Sequence, residues 1–229
     1  AISPGVRDCL LEGGVPDERI VHIWEAVDPQ RITPTRAAAD VRTELEVPED
    51  TVLFLGVGAL FDRKGFDVML DALARLDEPT REALAVRVAG GGPEHEALEA
   101  QAASLGLADR VRFLGRREDM ADLLGAADVF VLPSRREGLG VSALEAMGAA
   151  CPVIVSKVGG LAHSVIHERT GLHVPPGEPG PLAEAIARLV GDPDLRAAMS
   201  QAGPERMDEG FRPAQMVAAY ETLYRDVLA

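Results

Sequence analysis

From residue 51 onward the chain alternates short, almost unbroken apolar runs with longer stretches in which apolar residues recur every three to four positions. Such alternation is how βαβ units around a parallel sheet read in sequence. The apolar runs predict six strands: Thr51–Val57, Val86–Ala89, Val111–Leu114, Val129–Leu132, Val153–Val155 and Leu172–Val174. Runs such as TVLFLGV, DVFVLP and PVIV offer no polar face, as expected of strands covered by helices on both sides. Helices are predicted over Lys64–Leu76, Pro93–Leu105, Glu118–Ala126, Val141–Ala149, Leu161–His167 and Pro181–Val190, each following a strand as a right-handed crossover would. Phe66, Met69, Leu70, Leu73 and Leu76 give the first of these its buried stripe. Gly-Asp-Pro at 191–193 and Phe-Arg-Pro at 211–213 punctuate the end, and Ala214–Leu228 reads as a last helix. Residues 1–30 stand outside the alternation. They read as a helix over Gly5–Leu11, a GGVP turn and a strand over Ile20–Trp24, an αβ unit with no evident partner in the chain.

Composition narrows what such a sheet can serve. At 229 residues a chain buries roughly 70–75% of its unfolded surface, so a core needs no staples. A net charge of −14, from 23 basic and 37 acidic residues, argues against nucleic acid or an anionic membrane as a partner, and any phosphate it binds must be small. Cys9 and Cys151 are far apart with no CxxC or Cys/His spacing, which excludes a zinc module and a disulfide scaffold. No apolar stretch reaches the ~18 residues of a spanning helix, and AISPGVRDCL lacks a signal-peptide layout; a cytoplasmic location is expected. The only lysines are Lys64 and Lys157, which draws the eye to a lysine in a loop. The chain starts on Ala1, and so reads as a piece of something larger.

In an open parallel sheet, ligands bind beyond the carboxyl ends of the strands, where loops and helix N-termini converge. Four of the junctions there carry glycines: GVGALFDRKG, AGGGPE, PSRREGLG and SKVGG. Each alone is only a tight turn; together they favour close approach of an anion to main-chain N–H groups. GVG at 56–58 is no dinucleotide fingerprint, because Phe61 stands where the third glycine is needed, and no GxxxxGK[ST] is present. Lys64, at a helix start, can reach a diphosphate as a point charge, with Arg63 a second candidate; a solvated helix-start lysine is the plain alternative. In PSRREGLGVSALEAMGAACPV, Glu137 lies in the loop and Glu145 eight residues on, so both carboxylates can face a ligand at the helix N-terminus; an amphipathic helix with a surface glutamate is the equal alternative. His163 and His167, four apart on a predicted helix, lack a third ligand, and Ser134 lacks a His/Asp constellation. His22, His95 and His173 have no evident partners.

The run EGLGVSALEAM resembles the E-x7-E motif of the group 1 (glycosyltransferase family 4) retaining glycosyltransferases. VGALFDRKGFDVMLDALARL, VAGGGPEHEAL, RVRFLGR, AADVFVLPSRREGLGVSALEAM, PVIVSKVGG and TGLHVPPG follow in that family's order and spacing. The resemblance implies a Rossmann-like three-layer αβα domain with a six-stranded parallel sheet, one half of a GT-B fold. Residues 1–30 would close the acceptor-side domain, 31–212 would bind the donor, and 213–229 would cross back to the missing domain. It implies a nucleotide sugar as partner, no metal or other cofactor, and any membrane contact only through the missing N-terminal acceptor-binding domain. Glu145 would bond the ribose hydroxyls and Glu137 the donor sugar near the anomeric carbon. Gly138 and the main-chain N–H groups of Leu139 and Gly140 would face sugar or diphosphate; Gly58, Arg63 and Lys64 would cradle the diphosphate; Arg116 would lie near the base. Glu137 and Lys64 are thus the implied catalytic pair. Two positions depart from the family pattern: Ala59 replaces a common arginine, whose contact falls to Arg63, Arg135 or Arg136 or is missing, and His163 replaces a common acid. A module with a decayed sugar-nucleotide site, serving only interaction, is the alternative expectation. Unpaired ends would expose an apolar patch or bury it by self-association.

Overall fold

A computed structural model describes residues 1–228. Helix α1 (Pro4–Glu12) comes first, then a 3₁₀ turn at Pro29–Ile32 and α2 (Ala38–Glu44). The alternation follows as β1 (Val52–Val57), α3 (Phe66–Ala74), α4 (Glu78–Glu82), β2 (Leu84–Ala89), α5 (His95–Ser104), β3 (Val111–Gly115), α6 (Met120–Ala126) and β4 (Val129–Leu132). It continues with α7 (Val141–Gly148), β5 (Val153–Ser156), α8 (Leu161–Ser164) and β6 (Gly171–Val174), and closes with α9 (Pro179–Gly191), α10 (Pro193–Gly210) and α11 (Pro213–Leu228). All six predicted strands are present, with ends shifted by at most two residues. They form one parallel sheet in the order β3-β2-β1-β4-β5-β6.

Alternation along the strands divides the core into two layers. Phe54, Val86 and Val88 pack under α3, α5 and α9, while Leu53, Leu55, Ala85 and Phe130 pack under α2, α6 and α7. Burial on both faces is why β1, β2, β4 and β5 carry no polar face. Arg87 is the exception: inside β2 and 5% exposed, it donates to the carbonyls of Leu45 (2.8 Å), Val86 (2.9 Å) and Arg110 (3.2 Å). It thereby satisfies the end of α2 and the entry to β3 with one planar fork.

Several expectations fail for identifiable reasons. Ile20–Trp24 is extended but joins no ladder; Ala1 donates to the Val21 carbonyl at 2.6 Å and Ile23 donates back to Ala1 at 2.9 Å. Nor is this first segment without a partner. Ser3, fully buried, donates to the Gly138 carbonyl (2.6 Å), Val27 donates to Phe211 (3.0 Å), and the Trp24 and Phe211 rings lie 5.0 Å apart. The helix predicted over Leu161–His167 stops at Ser164, where Val165 turns extended and Thr170 accepts from the Ile166 amide at 2.9 Å. His163 and His167 therefore share no helix. The remaining histidines do have neighbours: His22 meets Trp24 edge-on, His95 lies 3.3 Å from Glu99, and His173 stacks on His167 at 5.6 Å. Helices α2, α4 and α10 go unpredicted. In α10 the Gly-Asp-Pro read as a stop is a start, with Asp192 accepting from the Leu195 amide (2.8 Å) and Pro193 in the first turn. Among the described residues no helix is long and apolar enough to cross a membrane.

Candidate active site at the switch in strand order

Between β1 and β4 the strand order reverses, and the carboxyl ends of strands at such a switch are where open parallel sheets bind their ligands. After β1 the chain makes a 3₁₀ turn over Asp62–Lys64 and enters α3 through Gly65, at φ 69°. A Cβ at that position would sit 2.1 Å from the Pro133 carbonyl oxygen, so only glycine lets the β1 loop lie against the β4 loop. Across that contact Lys64 Nζ donates to Glu137 Oε2 at 2.6 Å, both side chains 11% exposed. Ser134, fully buried, donates to the same oxygen at 3.2 Å. The stem of Lys64 runs past Gly58, where an added Cβ would touch it at 3.5 Å.

The β5 loop closes in from the other side. Gly159, at φ 48°, brings its Cα where a Cβ would strike the Glu137 carbonyl at 1.7 Å, and the Gly160 amide donates to the Gly138 carbonyl at 3.0 Å. Glu137 is thus held by β1, β4 and β5 loops together. Helix α7 begins at Gly140, φ 83°, with no side chain capping its first turn. Among the described residues, no protein acceptor meets the amides of Leu139, Gly140, Val141 or Ser142, although Leu139 and Gly140 are buried. Buried amides are nearly always bonded, and a run without partners at a helix N-terminus is suited to an anion.

Glu145 lies one turn into α7, 13% exposed, with Arg31 3.4 Å away in the 29–32 turn. Burial pushes its carboxyl above the ordinary range, and Arg31 opposes this more weakly. Glu137 lines a cavity against α1, and Glu145 faces the 29–32 turn. Arg116 is exposed at the end of β3. Arg135 is committed elsewhere, its guanidinium clasping both oxygens of Asp67, so it is not free to replace the arginine absent at Ala59. Ser134 and Arg31 carry no sequence signal for these contacts: the serine reads only as a nucleophile without partners, and no local pattern links residue 31 to residue 145.

The family model described as "Glycosyl transferases group 1" matches residues 38–206. The chain is 36% identical, over 80% of its length and 52% of the relative's, to the lipopolysaccharide core biosynthesis glycosyltransferase LpsD of Rhizobium meliloti. It is 37% identical to the D-inositol 3-phosphate glycosyltransferase of Saccharomonospora viridis, over 89% of this chain and 49% of that one. Among solved structures it resembles sucrose-phosphate synthase of Thermosynechococcus elongatus (TM-score 0.85, 30% identity, 99% of this chain and 57% of that one). It also resembles Anabaena HepE in complex with UDP-glucose (TM-score 0.90, 25% identity, 98% and 63%). The chain spans about half the length of the curated relatives it matches.

Proposed function

Because the chain belongs to the group 1 glycosyl transferases, we propose that it is the donor-binding half of a retaining, metal-independent enzyme of family 4, moving a sugar from a nucleoside-diphosphate sugar to an acceptor hydroxyl. The unpartnered amides of 139–142 carry this reading. With Lys64 they would offset the charge that a leaving diphosphate gathers as the bond from the anomeric carbon to the phosphate oxygen breaks. Lysine and amide dipoles supply at that point the compensation for which other transferases need a cation. Glu137, fixed by Lys64 and Ser134, takes the donor sugar's hydroxyls beside the anomeric carbon, and Glu145 takes the ribose hydroxyls. Gly58 lets the diphosphate approach the β1 loop, and Arg116 borders the base.

In this proposal residues 1–30 join the donor domain, 31–212, to an acceptor-binding domain on which 213–229 also rests; residue 229 lies outside the described residues. The half alone binds nucleotide and transfers nothing. Preservation of the Lys64–Glu137 contact supports a working site over a decayed one. Calorimetric titration with UDP, GDP and ADP checks the reading: one of them should bind with a Kd below about 1 mM, and Glu145→Ala should weaken it about tenfold, ~1.4 kcal/mol. Absence of binding by all three at millimolar concentration overturns it.

A further inference from the structure

A cavity of about 640 Å³ separates α1 from the loops after β1 and β4, within the range of small-molecule sites. One wall is Val6, Asp8, Cys9 and Leu10 of α1; the other carries Arg63, Arg135, Arg136 and Glu137. The Arg63 carbonyl accepts from the amides of Arg135 (2.8 Å) and Arg136 (3.4 Å), which fastens residues 63 and 136 side by side across two loops. Two of the local cations are already neutralised: Arg135 by Asp67, with Asp62 at 3.3 Å, and Lys64 by Glu137. Arg63 and Arg136 are not. Both are exposed, and among the described residues neither guanidinium has a carboxylate within ion-pair distance, in a chain with 37 acids and a net charge of −14. Asp8, on the facing wall, has Arg7 of its own helix 3.9 Å away.

We propose that this cavity binds a phosphate or carboxylate group carried by the sugar acceptor, with Arg63 and Arg136 as its ligands. The inference rests on the donor-binding reading above and adds the chemical class of the other substrate. Gly58, Lys64 and Glu145 do not line this cavity, whereas Glu137 and Gly138, which would border the donor sugar, do, so the cavity opens beside the sugar end of the donor. An anion held there is one side chain from the reacting carbon. Two guanidiniums carried on adjacent backbone and lining one cavity can share an anion, and their planar forks match carboxylate and phosphate oxygens. Arg63 thereby serves the acceptor rather than the diphosphate.

Inorganic phosphate is the probe, titrated by calorimetry at constant ionic strength with and without saturating nucleoside diphosphate. Phosphate should bind saturably in both conditions with Kd values within twofold of each other. Arg136→Ala should weaken phosphate at least fivefold and leave the nucleotide Kd within twofold; Arg63→Ala should weaken phosphate likewise. Mutual exclusion of phosphate and nucleotide, or a parallel loss of nucleotide affinity in Arg136→Ala, would assign the pair to the diphosphate and overturn the proposal. So would absence of saturable phosphate binding. The same carboxylate chemistry could arrive on the donor: if Arg136→Ala weakens UDP-glucuronate and spares UDP-glucose, the ligand belongs to the donor sugar and the acceptor assignment falls. Failure of all nucleotides to bind would strike the donor reading, while the phosphate arm without nucleotide still reports on the arginines.

Discussion

At the level of single residues, Glu145 is a carboxyl placed at a cost to the fold. Its pKa is raised because burial disfavours the charged form. For a carboxyl raised in the folded state, the stability contribution is full below the unfolded pKa and is lost as pH rises through the folded one. Glu145→Gln removes that loss. Its melting temperature should equal or exceed the parent's at pH 7.5, with the difference closing as pH falls below the ordinary glutamate range, while nucleotide affinity drops. Arg31 loses little in the exchange, being 69% exposed and 3.4 Å away. A lower melting temperature at pH 7.5 would contradict this account. Lys64 illustrates how far residue-level reading reached. Its rarity and its place after a glycine loop marked it from sequence, yet its partner Glu137 is 73 positions away and follows only from the fold.

Among elements, what was legible depended on whether the sequence pattern matched a tertiary need. Strands buried on both faces are almost wholly apolar, so β1, β2, β4 and β5 could be read directly, while the edge strand β3, with Arg112 exposed, still shows through Val111, Phe113 and Leu114. Helix α10 could not, because Gly203 and Pro204 look like a break; in the fold Gly203 lies against the Met147 carbonyl, where a Cβ would come within 2.5 Å, and the proline is carried inside the helix. The seating of α6 likewise depends on a contact between distant positions. Asp122 accepts from the amides of Thr35 (2.6 Å) and Arg36 (3.1 Å), and these bonds hold its carboxyl below the ordinary range. A depressed carboxyl pKa gives stability that is present above the unfolded value and lost as pH falls through the folded one. Asp122→Asn should therefore lower the melting temperature at pH 7, and its deficit should shrink as the pH is taken below the aspartate range. A deficit independent of pH would mean that shape, not charge, seats the helix.

Considered as a whole, the molecule keeps one helix apart from its body. No residue of α11 is buried, and Val217, Tyr220, Tyr224 and Val227 are all exposed. The expectation of an apolar patch at this end agrees with that surface, while the first segment instead packs on Gly138 and Phe211. Because α11 contributes little burial to the fold, Tyr220→Lys with Tyr224→Lys should change unfolding free energy by no more than about 0.5 kcal/mol per site. Denaturation of the double variant in urea checks this; a loss of several kcal/mol would show that the helix is part of the cooperative core.

The seam between β1 and β4 has a kinetic meaning as well. Their ladder pairs only Phe54 with Val129 and Leu55 with Phe130, whereas β1 and β2 match over six positions. It is the shortest ladder in the sheet, and it joins segments some 75 residues apart. Closing so long a loop makes this a late contact in folding. Lys64 and Glu137 stand on opposite sides of it, so the crevice comes into being only once the two halves of the sheet have met. A nucleotide spanning the seam would add its binding free energy to the closed form alone and slow hydrogen exchange along β1 and β4 more than along β3 or β6.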